Sequence, residues 1–178
     1  MKNEYEDHWI ETFSGQRFHY LSPSDDEIDI RDIAHALSLM CRFGGHCRKF
    51  YSVAQHSIHV MNLVPAEYKL EGLLHDAAEA YISDIPRPIK NDLVNFKDME
   101  NVIEEAIIKK FNVTQRNHSV IKKADNIMLA TEARDLMATN LEDWAKLPDP
   151  LKGKIRPLRW YTAEANFLKA FEELTKSV

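Results

Sequence analysis

The chain has 178 residues, of which 44% are hydrophobic and 29% charged, a balance typical of one globular domain with a single sizeable core. Its formal net charge of −5 argues against broad, charge-driven binding to nucleic acid or to an acidic membrane surface. No apolar run approaches the roughly 18 residues that a membrane span needs, and the opening MKNEYEDHWIETF lacks the apolar core of a signal peptide. We therefore expect a cytoplasmic protein, with Cys41 and Cys47 as free thiols.

The N-terminal part is predicted to form a short hairpin followed by helices. Residues 9–21 alternate between apolar and polar, which indicates a β-hairpin. Apolar residues then recur at helical spacing over Ile30–Phe43. Ser52 with Gln55 three residues on is the pattern of a capping box, which predicts that a second helix begins there and runs to about Val64.

The rest of the chain is predicted to be helical. Pro65 suits a first helical position, and the helix that it opens should continue through Tyr81 until two prolines interrupt it. Three further helices are predicted over about 96–111, 117–144 and 162–174. We therefore predict an all-α fold in one domain spanning 1–178, with the hairpin ahead of a helical core over about 29–176.

Five ionisable residues could form a metal site. His75, Asp76 and Glu79 share one stretch of the third predicted helix, where spacings of three and four give neighbouring surface positions. Leucines and alanines surround them, so burial would be costly unless a cation or hydrogen bonds compensate. Imidazole nitrogens together with carboxylate oxygens suit borderline divalent ions. His56 and Asp125 could complete such a site.

This arrangement resembles the HD-domain metal-dependent phosphohydrolases. The matching pattern is His56, eighteen residues, His75-Asp76, forty-eight residues and Asp125. The strings YSVAQHS and HDAAEAYISDIPRPIK sharpen it, because they are similar to the subgroup of bacterial 5′-deoxynucleotidases and phage dATP triphosphohydrolases of the DatZ type. The similarity covers about residues 9–135, most of the chain.

The resemblance implies a compact HD-domain helical bundle that forms homo-oligomers. It implies one divalent transition metal ion (Co, Mn, Zn, Fe or Ni) held by His56, His75, Asp76 and Asp125, with Mg accompanying a triphosphate substrate. Such an ion lowers the pKa of a bound water and neutralises the phosphate under attack. Glu79 matches the catalytic glutamate of the family, which orients that water or passes on its proton. The alternative for Glu79 is a solvent-facing residue near a helix end.

The resemblance also implies a set of substrate contacts. The matching positions are Arg42, Phe43, Asp84, Pro88, Lys90 and Lys122. Arginine beside a flat ring can hold phosphate and base together, and the lysines can neutralise further phosphates. The similar enzymes have tryptophan where this chain has Phe43, so the ring is kept while an N–H donor is lost. For Lys122, a solvated surface position is an equal alternative.

The substrate is expected to be a small deoxynucleotide rather than nucleic acid or membrane. A triphosphohydrolase acting on dATP or several dNTPs is favoured by the lysines, because a longer phosphate chain carries more charge beyond the metal. A 5′-deoxynucleotidase acting on monophosphates is the first alternative. The second is a helical module that binds a nucleotide without turnover, since a fold does not fix a function.

Overall fold

The computed structural model describes residues 8–138 and 147–176. It is mostly helical, with a short antiparallel hairpin near the N-terminus, which confirms the predicted fold class. The elements in chain order are β1 (Ile10–Glu11), β2 (Arg17–Phe18), α1 (Ile30–Leu39), α2 (Val53–Leu63), α3 (Lys69–Leu74), α4 (Glu79–Ile82), α5 (Arg87–Lys90), α6 (Phe96–Lys110), α7 (His118–Leu136) and α8 (Trp160–Thr175). Short 3-10 turns lie at Asp25–Glu27, Arg42–Gly45 and Ala66–Tyr68. None of the described helices is long and apolar enough to cross a bilayer.

The hairpin is fastened to the helical core by polar and aromatic contacts. Ile10 pairs with Phe18 across the two strands. At the turn, the backbone N–H and the hydroxyl of Ser14 donate to the Asp32 carboxylate of α1 over 2.7 and 2.8 Å. The ring of Phe18, which is fully buried, stacks on Tyr81 of α4 with the ring centroids 3.6 Å apart. The hairpin therefore covers one side of the core.

Helix α2 occupies the centre of the fold. It packs against α1, α3, α7 and α8, and its buried side chains join the main apolar cluster and a smaller one that it shares with α7. Its approach to α3 is close, because a Cβ added at Gly72 would lie 3.1 Å from the Cα of Met61 and 3.1 Å from a methyl carbon of Val64. This contact fixes the distance between α2 and the end of α3.

The start of α2 agrees with the prediction, but only half of the predicted capping box forms. The Ser52 hydroxyl accepts from the Gln55 backbone N–H over 3.2 Å. The Gln55 side chain does not turn back to Ser52. Its amide instead donates to the Arg156 carbonyl over 2.9 Å and accepts from the Leu158 N–H over 2.8 Å. Gln55 therefore ties the segment before α8 to the start of α2.

The predicted C-terminal end of the first helix was wrong. Helix α1 stops at Leu39 rather than Phe43, and Met40 is extended, with φ −79° and ψ 117°. The Met40 carbonyl accepts from the Val53 N–H over 3.1 Å, and the Arg42 N–H donates to the Tyr51 carbonyl over 2.9 Å. Pairing of residues 40–42 with residues 51–53 thus replaces the last turn of the predicted helix.

The predicted continuous helix from Pro65 to Tyr81 was also wrong. Helix α3 ends at Leu74 and α4 begins at Glu79, with turns between them. There the Ala77 N–H donates to the Leu74 carbonyl over 2.9 Å, and the Glu79 N–H donates to the Asp76 carbonyl over 3.0 Å. These are i to i+3 bonds, which wind the chain more tightly than an α-helix.

The later helices follow the prediction closely except at one end. Helix α6 matches the predicted 96–111, and α8 begins two residues before the predicted 162. Helix α7 ends at Leu136, ahead of the predicted Trp144, because Met137 is extended with φ −95° and ψ 164°. The remainder of that predicted helix, from 139 onward, lies outside the described residues.

Cys41 and Cys47 are free, with their Sγ atoms 3.4 Å apart.

Candidate metal centre

Three candidate ligands from separate parts of the chain meet at one point. His56 lies in the first turns of α2, His75 directly follows α3, and Asp125 lies in α7. One ligand atom from each lies within 4.8 Å of the others, and His56 Nε2 is 3.4 Å from Asp125 Oδ1. Donors about 2.1 Å from a tetrahedral ion are roughly 3.4 Å from one another. The spacing therefore suits a divalent transition metal ion.

The fourth predicted ligand, Asp76, lies beside the two histidines. Its Oδ2 is 3.5 Å from His56 Nε2 and 3.2 Å from His75 Nε2. The interruption between α3 and α4 places Asp76 there, one residue after His75, on the same tight turn. All four residues predicted to hold the metal are thus brought together.

The two histidines are oriented as metal ligands. His75 Nδ1 lies 2.9 Å from the Gly72 carbonyl, which can only accept, so Nδ1 carries the proton and Nε2 has a free lone pair. The Nε2 atoms of His56 and His75 are both buried, and neither has a hydrogen-bond partner in the described part of the chain. Buried polar atoms are seldom left unpaired, and a cation would satisfy both.

Charges within the cluster keep its carboxylates ionised. Burial by itself would raise the pKa of Asp76, but His75, His56 and Arg42 outweigh it and hold that pKa well below its usual range. Burial likewise opposes ionisation of Asp125, but the adjacent His56 ring, whose Nε2 is 3.4 Å from Asp125 Oδ1, outweighs it, so the pKa of Asp125 is also lowered. The pair offers anionic oxygens at neutral pH.

Glu132 joins this cluster, although the sequence analysis did not select it. Its carboxylate is fully buried, and it accepts hydrogen bonds from His56 Nδ1 over 2.6 Å and from Arg42 Nε over 3.1 Å. Burial and Arg42 would lower the pKa of His56, yet Glu132 and Asp125 outweigh them and raise it to about 9. The sequence contains one signal for Glu132, because this residue lies seven positions after Asp125 and therefore on the same face of α7.

Glu79 lies next to the cluster in a water-poor position. Its side chain is 6% exposed, and Oε2 is buried without a hydrogen-bond partner among the described residues. Burial first, and then the charges of Asp76 and Asp84, raise the pKa of Glu79 well above its usual value. The nearest cation is Lys90, whose Nζ is 3.9 Å from Glu79 Oε1. A carboxyl group with a raised pKa binds a proton more readily than an ordinary one, as a general base requires.

A cavity of about 360 Å³ opens onto the candidate ligands. His75, Asp76, Asp125 and Glu79 contribute to its wall. Four of the predicted substrate contacts also line it, namely Arg42, Asp84, Lys90 and Lys122. Two others, Phe43 and Pro88, are not among the described residues that line it, and their roles stay predictions. The ring of Phe43 lies beside the Arg42 guanidinium, with the guanidinium carbon 5.3 Å from the ring centroid.

The cations around the cavity differ in how far they are already paired. Lys90 Nζ donates to Glu100 Oε1 over 2.5 Å, whereas Lys122 Nζ lies 3.3 Å from Asp125 Oδ2 and its side chain is 42% exposed. Arg87 was not predicted, because it stood between two prolines in a presumed helix break. One of its terminal guanidinium nitrogens is 3.5 Å from Asp125 Oδ2. The rim therefore offers more positive charge than the sequence analysis assigned.

These features define a helical protein with a candidate buried metal centre that opens onto a charged cavity. No family model matches the chain. It is 42% identical over 171 residues to the uncharacterized protein YfdR of Escherichia coli, an alignment that covers 94% of this chain and 96% of YfdR. It is also 28% identical over 160 residues to an uncharacterized protein of Rhodobacter capsulatus, covering 80% and 82% of the two chains. The chain belongs to the same protein family as YfdR.

Proposed function

We propose that this protein is a metal-dependent phosphohydrolase of the HD-domain class that acts on deoxynucleotides, with dATP or several dNTPs as substrates. One observation carries the proposal. The buried Nε2 atoms of His56 and His75, which have no hydrogen-bond partner among the described residues, meet the carboxylates of Asp76 and Asp125. His75, Asp76 and Asp125 line a cavity that is rimmed by cations. Such a wall presents a metal ion and positive side chains to the same phosphate group.

In this proposal His56, His75, Asp76 and Asp125 hold one divalent transition metal ion. Mixed nitrogen and oxygen ligands suit Mn, Fe, Co, Ni or Zn better than Ca, which prefers oxygen alone. When bound, the ion neutralises charge on the phosphate and acidifies a water molecule.

The side chains of the cavity perform the remaining tasks. Glu79 receives the proton of the attacking water, because its raised pKa makes the carboxylate a better proton acceptor than an ordinary one. Arg42 uses Nε for Glu132, which leaves its other guanidinium nitrogens for a phosphate oxygen. Asp84, which is partly buried and lines the same cavity, accepts a hydrogen bond from the sugar 3′-hydroxyl.

The cations that line the cavity favour a particular length of the phosphate chain. Arg87, Lys97 and Lys122 line the cavity, and together they favour a triphosphate over a single phosphate. The pairing of Lys90 with Glu100 favours the second candidate, a 5′-deoxynucleotidase, because it partly neutralises one of the cations that a longer phosphate chain would use. A homo-oligomer remains part of the proposal on the resemblance alone.

A panel of nucleotides tests the proposal. The purified protein would be incubated with dATP, other dNTPs, dAMP and ATP in the presence of Mn or Co, and the release of nucleoside, phosphate and triphosphate would be measured. We expect deoxynucleoside release from dNTPs, which the matched Glu79→Gln variant lacks. Faster turnover of dAMP than of dATP would favour the monophosphatase. Nucleotide binding without turnover on any substrate would contradict the enzymatic proposal and support a binding module.

A further inference from the structure

Glu132 is a buried charge with an unusual pair of partners. Its side chain has 0% exposure, and among the described residues it accepts hydrogen bonds from two members of the candidate site, His56 and Arg42. The bond from His56 Nδ1 is 2.6 Å long, which is the range of charge-assisted hydrogen bonds. Glu132 is not among the described residues that line the cavity, so its effect on the site passes through His56 and Arg42.

Support of the core alone does not account for this residue. Replacing a buried ion pair by apolar side chains of similar volume is often neutral or stabilising, so the core itself does not require Glu132 and Arg42. Each of its bonds does, however, fix one group of the site. A carboxylate at Nδ1 keeps a proton on that atom, so Nε2 of His56, which faces Asp76 and Asp125, is the nitrogen that can bind a metal ion.

The second bond fixes the direction of Arg42. With Nε held 3.1 Å from Glu132, the far end of the guanidinium turns towards the cavity, where one terminal nitrogen is 3.6 Å from Asp76 Oδ2. The Arg42 side chain is only 10% exposed, so few other orientations are open to it. One carboxylate thus sets the positions of a metal ligand and of a phosphate-binding cation together.

We propose that Glu132 is the positioning residue of this site, holding His56 in its metal-binding tautomer and aiming Arg42 into the cavity. The inference rests on the proposed metal centre. The other histidine relies on a backbone group for the same purpose, since His75 Nδ1 donates to the Gly72 carbonyl. Substitution of a side chain can therefore remove the support of His56 but not the support of His75.

Titration with Co²⁺, followed by its visible absorption, tests this positioning role. We expect Glu132→Gln to bind Co²⁺ ten- to hundredfold more weakly than the parent, the usual loss when a partner behind a metal ligand is changed. The amide N–H of the glutamine would also face either His56 or Arg42. Both of these groups are hydrogen-bond donors, so one of the two hydrogen bonds would be lost. Glu132→Asp keeps the charge but withdraws it by about 1.5 Å, one carbon–carbon bond, and should give an intermediate loss.

Asp32→Asn serves as the matched control. Asp32 is another buried carboxylate, 3% exposed, which accepts two hydrogen bonds from Ser14 and is not among the described residues that line the cavity. Its amide variant should bind Co²⁺ like the parent. Circular dichroism of each metal-free variant reports whether it folds, and if Glu132→Gln does not, Glu132→Asp decides.

Three outcomes would overturn the inference. Binding of Co²⁺ within threefold of the parent by the folded Glu132 variants would show that His56 needs no such support. An equal loss in Asp32→Asn would assign the effect to general loosening of the core. Absence of Co²⁺ binding in the parent, or binding that His56→Ala leaves intact, would refute the proposed metal centre itself. Failure of the metal centre is thereby distinguished from failure of the positioning role of Glu132 alone.

Discussion

Substitution of Gly72 by alanine should disturb both the core and the metal centre. The new Cβ would lie 3.1 Å from the Cα of Met61 and 3.1 Å from Val64 Cγ2, and the first of these atoms belongs to the backbone of α2 and cannot rotate away. Helices α2 and α3 must therefore move apart by a few tenths of an ångström. Because α2 carries His56 and the Gly72 carbonyl orients His75, that movement separates the two candidate ligands.

The expected magnitude follows from two opposing effects. Overpacking of a core by one methyl group costs about 1–3 kcal/mol. Alanine in place of glycine within a helix returns about 0.5–1 kcal/mol. The two ranges combine to a net destabilisation between about 0 and 2.5 kcal/mol, centred on about 1 kcal/mol. Since 1 kcal/mol shifts Tm by about 2–4 °C at this chain length, we expect a Tm lower by about 2–4 °C. The Co²⁺ affinity should fall up to about tenfold, the lower end of the losses seen for support groups.

Thermal unfolding by circular dichroism and titration with Co²⁺ measure the two effects. Gly153→Ala is the matched control, because a Cβ at Gly153 meets nothing within 4 Å and the glycine has no positive φ. Its Tm and Co²⁺ affinity should equal those of the parent. A Gly72→Ala protein with parental Tm and parental affinity would refute the argument that this close contact sets the spacing of the ligands.

Three further predictions concern the proposed reaction. Replacing any one candidate ligand by alanine should lower bound metal and abolish phosphatase activity, and metal analysis showing full occupancy in Asp125→Ala would remove that residue from the site. Glu79→Gln should keep metal and nucleotide binding but lose most turnover, so activity within a few-fold of the parent would contradict its assignment. Lys90→Ala and Lys122→Ala should each lower kcat/KM on dATP roughly ten- to hundredfold and should change kcat/KM on dAMP little. The loss should be smaller for Lys122, because its side chain is more exposed than that of Lys90. Equal losses on both nucleotides would instead indicate support of the fold or of the reacting phosphate.

Local signals in the sequence were sufficient for most of the secondary structure. The alternation over 9–21 and the helical periodicity over 96–111 depend only on neighbours in the chain, and the hairpin and α6 formed there. The end of α1 was not predictable in this way, because Met40 leaves the helix to pair with Val53, a contact that periodicity does not encode. The same limit applies to His75–Ala78, where a helical pattern of residues adopts the tighter i to i+3 bonding.

The candidate site was predictable to the extent that its spacing matches a known pattern. His56, His75, Asp76 and Asp125 were selected together, and the structure brings them together. Residues that act through other residues left no comparable signal. Glu132 resembles any charged position in a helix until the fold buries it against His56 and Arg42.

The backbone of the turn after α1 holds an aromatic residue in a strained conformation. Phe43 has φ 59° and ψ 30°, the left-handed region, and the following Gly44 has nearly the same angles. A non-glycine residue in that region costs roughly 1–2 kcal/mol, which glycine at position 43 would relieve. Glycine would also remove the ring that lies over Arg42. A screen for thermostability alone should therefore recover glycine or asparagine at position 43, whereas a screen for activity should retain an aromatic ring.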